Sequence, residues 1–208
     1  MLVVKVWLGG EGPCEIGDRA EGGGNCGAVE ALLRGVQPDG WVLGGAQRWK
    51  HIRKYRAGAA IRGGPNHEDI HNVVGLVKAA KDAGCDAVAF TRDIDADDER
   101  ASAISRGMSA AGVLFPGMLV IGGEARPALE GWILALLGVS KSDGMSRRRT
   151  LAELKDRKVP EKDPEAYVAI VDAADLNRLP NGCESLDRWL TLARHEFGRA
   201  THDDTGSS

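Results

Sequence analysis

Residues 86–95 read DAVAFTRDID, from Asp86 through Phe90 and Thr91 to Asp93 and Asp95. The apolar run lacks the in-out alternation of a half-exposed strand, so it reads as a strand buried on both faces. Upstream, residues 68–83 place Ile70, Val73, Val74, Val77 and Ala80 on one helical stripe. Downstream, residues 97–110 read as another helix. A buried strand between two helices is the repeating unit of a parallel, doubly wound α/β sheet.

Further out, the pattern repeats. Residues 2–8 form an apolar run closed by Gly9-Gly10, a first strand. Residues 28–33 are the clearest helical part of a segment interrupted by Gly22-Gly23-Gly24-Asn25. Residues 41–44 and 117–121 read as further strands, and residues 127–137 (PALEGWILALL) as a strongly apolar helix. After Gly138 the chain turns polar and basic, and helices are expected over 150–158, 163–173 and 185–197. The expected organisation is an α/β domain over 1–138, a C-terminal helical appendix over 139–197 and a disordered tail over 198–208.

Composition narrows the function. The chain has 208 residues, 43% of them hydrophobic, which suits one domain with a real core. A net charge of −3 gives no global attraction to nucleic acid, so only a local basic patch could supply it. Cys14, Cys26, Cys85 and Cys183 form no C-x-x-C pair, which argues against a zinc ribbon. No apolar run reaches the roughly 18 residues of a membrane span, and residues 1–10 do not read as a signal peptide. A cytoplasmic protein without membrane contact is the expectation.

Ligands of open parallel sheets gather at the carboxyl ends of the strands. Two acidic groups fall there: Glu11 and Glu15 after the first strand, and Asp93 and Asp95 after DAVAF. Close carboxylates repel unless a cation neutralises them, and oxygen donors favour Mg²⁺ or Mn²⁺ over zinc. The plainer reading of Asp93 to Asp98 is a helix N-terminus, where acids suit the dipole.

These motifs carry a resemblance. Glu11-Gly12-x-x-Glu15 followed by Thr91-x-Asp93-x-Asp95 resembles the TOPRIM fold, and within it the OLD-nuclease branch. Glu130-Gly131-Trp132-Ile133-Leu134 resembles an element of a stand-alone TOPRIM-like family often encoded beside ABC-type ATPases in phage-defence loci. Lys162-Asp163-Pro164, Asp175-Leu176 and the stretch 183–190 resemble that family's helical end. Cys14 in the loop and Thr91 in place of serine depart from the pattern. The resemblance implies a metal-dependent nuclease in which Glu11, Glu15, Asp93 and Asp95 hold Mg²⁺ or Mn²⁺, with Glu130 as a further ligand. Glu11, Asp93 and Asp95 would be catalytic, and Glu11 the general base. The implied partners are nucleic acid, DNA ahead of RNA, and an ABC-type ATPase; homo-oligomer formation is left open. The alternative is a catalytically silent regulatory subunit of such a complex. Lys141 and Arg147 are the candidates for a late basic residue. Tyr55 and Tyr167, the only tyrosines, sit in no context suited to strand passage, so hydrolysis fits better.

A candidate substrate surface lies at residues 48–56 (RWKHIRKYR), where Arg48, Lys50, Arg53, Lys54 and Arg56 accompany Trp49 and Tyr55. Cations neutralise phosphates and rings can stack on bases, unless the two aromatics pack inward. A rival metal motif is His67-Glu68-x-x-His71, the zinc-hydrolase pattern. Asn66 and Asp69 instead suit a helix start, and the extended pattern's glycine and third histidine are replaced by Val74 and Val77.

Overall fold

The computed structural model describes residues 3–55, 67–95 and 97–202, with the side chains of His67 and of residues 200–202 left aside. Strand β1 (Val4–Gly10) runs at the centre of a four-stranded sheet beside β2 (Trp41–Arg48), β3 (Ala87–Phe90) and β5 (Leu119–Ile121). Every pairing is parallel, in the order β2-β1-β3-β5. Two short strands, β4 (Arg92–Asp93) and β6 (Glu124–Ala125), pair parallel just beyond β3 and β5.

Alternation along each strand sends side chains to two cores. Val4, Val6 and Leu8 of β1, Ala87 and Ala89 of β3, and Ile121 of β5 face one layer of helices. That layer comprises α2 (Ala28–Val36), α5 (Leu129–Leu136), α7 (Pro164–Ala173) and α8 (Glu184–His202). Val88 and Phe90 face the other layer, built from α3 (His67–Asp82) and α4 (Asp98–Leu114). Residues 87–90 are thus buried on both sides, as their unbroken apolarity predicts. Each fully buried Leu- or Phe-sized side chain contributes roughly 1.5–3 kcal/mol, so two such cores anchor the sheet firmly.

The C-terminal helices differ from expectation. Tyr167, Val171, Leu186, Trp189, Leu190, Ala193 and Phe197 belong to the same core as β1 and α2. Residues 164–197 therefore complete one face of the sheet rather than hang from it as an appendix. The reason is the strong apolar stripe of α8, for which only the sheet offers a partner. Helix α8 also runs to His202, so the start of the expected tail is helical; residues 203–208 lie outside the described residues. Helix α6 (Arg147–Asp156) buries only Thr150 and Leu154 and covers the edge of α5.

The order β2-β1-β3 means that the chain leaves β1 toward one side and later reaches β3 on the other. This reversal opens a crevice at the carboxyl ends of β1 and β3, where doubly wound sheets bind ligands. Both acidic motifs end there.

Candidate functional site

Beyond Gly10 the chain turns into a short helix, α1 (Pro13–Ile16), with proline in its first turn. The Gly12 N–H donates to Glu15 Oε2 at 2.8 Å, which folds this carboxylate back over the turn. Gly10 makes room for it: a Cβ there would lie 2.5 Å from the Cβ of Glu15. Beyond β3, the β4–β6 ladder sets Arg92 opposite Glu124 and Asp93 opposite Ala125. It thereby brings the start of α5 to Asp93, whose Oδ1 accepts the Leu129 N–H at 2.9 Å. The next residue is Glu130, the one acid on an otherwise apolar, buried helix.

Glu15, Asp93 and Glu130 are all buried, at 6%, 7% and 5% exposure, and they come from three separate elements. Burial pushes the Glu15 carboxyl from 4.5 up to about 7, with Glu130 adding repulsion against the hydrogen bonds that favour the anion. Burial likewise pushes Asp93 up to about 7, and Glu15 and Glu130 push it further. Glu130 has one oxygen within 3.5 Å of the Tyr167 hydroxyl, which donates to it; the other, Oε2, is buried with no hydrogen-bond partner. The same crowding, after burial, raises the Cys14 thiol to about 12.

Asp95 adopts a left-handed backbone (φ 48°) and is exposed. Its carboxylate accepts from Arg147 at the first turn of α6, 2.9 Å away. Asp95, Asp93 and Glu130 all favour the charged form of Arg147, and this guanidinium lowers the proton affinity of Glu15 and Asp93 in return. Of the two late basic candidates, Arg147 therefore reaches the acids. Lys141 instead sits in a left-handed turn whose backbone N–H donates to the Asn181 carbonyl.

Glu11 is held apart from this trio. Its carboxylate accepts from Arg92, which lies over the Trp49 ring at 5.3 Å. Arg92 also approaches Asp69 (3.5 Å), which Arg100 reaches at 3.2 Å and the Trp49 indole at 3.3 Å. Burial, then the neighbouring Arg100, lowers the Arg92 guanidinium to about 10. Among the described residues, no three His, Cys, Asp or Glu side chains stand close enough together to enclose a metal ion. The donor chemistry is all oxygen, the kind a hard divalent cation takes, and one buried Glu130 oxygen lacks a hydrogen-bond partner, but Glu15, Asp93 and Glu130 do not by themselves close around an ion.

The basic stretch is committed in part. Arg48 pairs with Glu21 (2.7 Å) and Lys54 with Glu68 (2.6 Å), while Lys50 and Arg53 are exposed and Arg56 lies outside the described residues. Trp49 is buried against Phe90, and Tyr55 packs on Phe115. Both rings pack toward the α3 layer, Trp49 buried and Tyr55 half-buried, where they stabilise that layer. The histidine motif likewise serves the helix. His71 Nδ1 contacts the Tyr55 carbonyl at 2.9 Å, Glu68 is tied to Lys54, and the His67 side chain lies outside the described residues. Asp97 does cap α4, accepting the Arg100 N–H at 3.0 Å.

The Arg92–Asp69–Arg100 network and Tyr167 are the site features that sequence reasoning missed. The one available signal was Asp69, an acid one position before the apolar stripe of α3 begins at Ile70. No family model, curated protein or solved structure matches the chain. Among the described residues no helix is long and apolar enough to cross a membrane.

Proposed function

We propose that the chain is a divalent-metal-dependent phosphodiesterase, a nuclease of TOPRIM type akin to the OLD branch. The observation that carries this reading is that buried Glu15, Asp93 and Glu130, beyond the carboxyl ends of β1 and β3, lie near enough to raise one another's proton affinity, with Arg147 beside them. Three such carboxylates are costly to keep ionised together without a cation. Glu15, Asp93 and Glu130 would hold Mg²⁺ or Mn²⁺. Bound there, the cation supplies charge neutralisation and Lewis-acid activation of a phosphodiester. Asp95 orients Arg147, whose guanidinium can take a phosphate oxygen and stabilise the charge that develops there. Glu11 serves as general base once it leaves Arg92, because its carboxylate otherwise stays committed to that cation.

Measuring Mg²⁺- or Mn²⁺-dependent cleavage of plasmid and single-stranded DNA tests the reading. Activity should vanish in Glu11→Ala and Asp93→Ala; cleavage that survives both substitutions would refute it. The second reading is a silent subunit of a complex with an ABC-type ATPase, favoured by the Glu11–Arg92 pair and by the lack of a closed metal cage among the described residues. Size-exclusion chromatography with such an ATPase, and cleavage assays before and after mixing, separates the two. Cleavage by the isolated protein excludes the silent subunit.

A further inference from the structure

A cleft lies on the α3–α4 side of the sheet, lined by none of the three trio carboxylates. This cleft of about 550 Å³ is walled by Arg92, Arg100, Lys50 and Lys54, against Glu11, Glu68 and Asp69. Arg92 and Arg100 both lean on Asp69, so two guanidiniums share one buried carboxylate. Their Nε atoms are buried and make no hydrogen bond, although each lies within ion-pair range of Asp69. Lys54 is paired with Glu68. Lys50 is exposed at the rim. The cations exceed their carboxylates by one, and a doubly shared acid leaves them under-neutralised.

We propose that this cleft recognises a backbone phosphate of a nucleic-acid strand, with Arg100 and Lys50 as its accessible cations. The entering phosphate draws Arg92 away from Glu11. A planar guanidinium pairs with phosphate at least as well as with carboxylate, because both offer paired oxygens to its fork. The buried Trp49 ring has no free face for a base, so recognition is of charge and not of sequence. The choice of a nucleic-acid strand rests on the nuclease reading, under which the release of Glu11 frees a base for the neighbouring metal site. The anion binding does not depend on that reading.

The test uses a fluorescein-labelled single-stranded oligonucleotide, read by anisotropy in a chelator so that nothing is cleaved. Inorganic phosphate serves as competitor. Arg100→Gln should weaken binding about tenfold and Lys50→Gln a few-fold, each lowering the salt-dependence slope by about one. Glu11→Gln should tighten binding, since it removes the carboxylate that competes for Arg92. A control substitution, Arg157→Gln at the exposed C-terminal end of α6, should change nothing. Equal losses in the control and in Arg100→Gln would overturn the proposal, as would undiminished binding by Arg100→Gln and Lys50→Gln or weaker binding by Glu11→Gln. Competition by inorganic phosphate supports it, and indifference to phosphate at concentrations that leave the ionic strength matched counts against it. Glu15→Gln strikes the carboxylate trio alone and should bind like the wild type. Intact binding with no metal-dependent cleavage by the wild-type protein would therefore defeat the nuclease reading and leave the phosphate cleft standing.

Discussion

Replacing Glu15 by glutamine should make the metal-free protein more stable at alkaline pH and leave it unchanged at acid pH. Folding raises the Glu15 carboxyl from 4.5 to about 7. Between those values the folded state keeps a proton that the unfolded state has released. The stability tied to this proton is therefore fully present below pH 4.5 and is lost as pH rises through 7. At ~1.4 kcal/mol per tenfold change in proton affinity, the loss is roughly 3 kcal/mol by pH 8. Asp93, raised from 3.8 to about 7, loses stability over a similar window. Glutamine cannot ionise, yet it keeps an oxygen for the Gly12 N–H and relieves the push of Glu15 on Asp93. In a chelator, Glu15→Gln should thus exceed the wild type by roughly 3 kcal/mol at pH 8, or about 6–12 °C in Tm for a chain this size. At pH 4.5 the two proteins should melt together. Urea denaturation at half-unit pH steps measures both curves. Parallel curves, or a variant less stable than wild type at pH 8, would refute the claim that Glu15 is an ionisable group held against its preference.

The cation should reverse this pH dependence. At pH 8 a hundredfold excess of Mn²⁺ over Kd should stabilise the wild type by about 2.7 kcal/mol, and less at pH 5.5; Asp93→Asn and Glu130→Gln should lose most of the resulting rise in Tm in scanning fluorimetry. Asp69→Asn would take the shared negative charge from two half-buried guanidiniums, and a loss of roughly 1–3 kcal/mol is expected in chemical denaturation; a loss under about 0.5 kcal/mol, on the same scale as roughly neutral surface changes, would show that Arg92 and Arg100 re-pair elsewhere. Gly10→Ala sets a methyl 2.5 Å from the Cβ of Glu15 and should cost roughly 1–3 kcal/mol while weakening Mn²⁺ binding. Loss of stability with unaltered Mn²⁺ affinity would mean that Glu15 does not contribute to the ion site.

Much of this architecture was legible from local pattern. The unbroken apolarity of residues 87–90 announced a doubly buried strand, and the stripe from Ile70 to Ala80 announced α3. Asp93 and Glu15 were legible as strand-end acids, because ligand sites at strand ends follow from topology, whereas Glu130 entered only through the resemblance. What could not be read was how the acids divide. Glu11 and Glu15 are one helical turn apart in sequence, yet one faces Arg92 and the other faces Asp93 and Glu130. That division depends on the β4–β6 ladder, two residues long and without sequence signal. Trp49 and Tyr55 misled for a related reason: aromatics between cations suit a nucleic-acid surface and an inward anchor equally. Only the position of Phe90 and Phe115 decides between them.

The Trp189 indole N–H donates to the Phe90 carbonyl at 2.9 Å, across 99 residues of chain. Phe90 is the last residue of β3, one place past the end of its ladder with β5. An indole from the last helix thus substitutes there for the backbone partner that a longer strand would have provided. This carries a consequence for the order of events during synthesis. The strand that leads into Asp93 cannot satisfy its final carbonyl until residue 189 has left the ribosome, and contacts of such sequence separation form late. Translation therefore runs well past the acidic motifs before the strand that leads into Asp93 gains its last hydrogen bond.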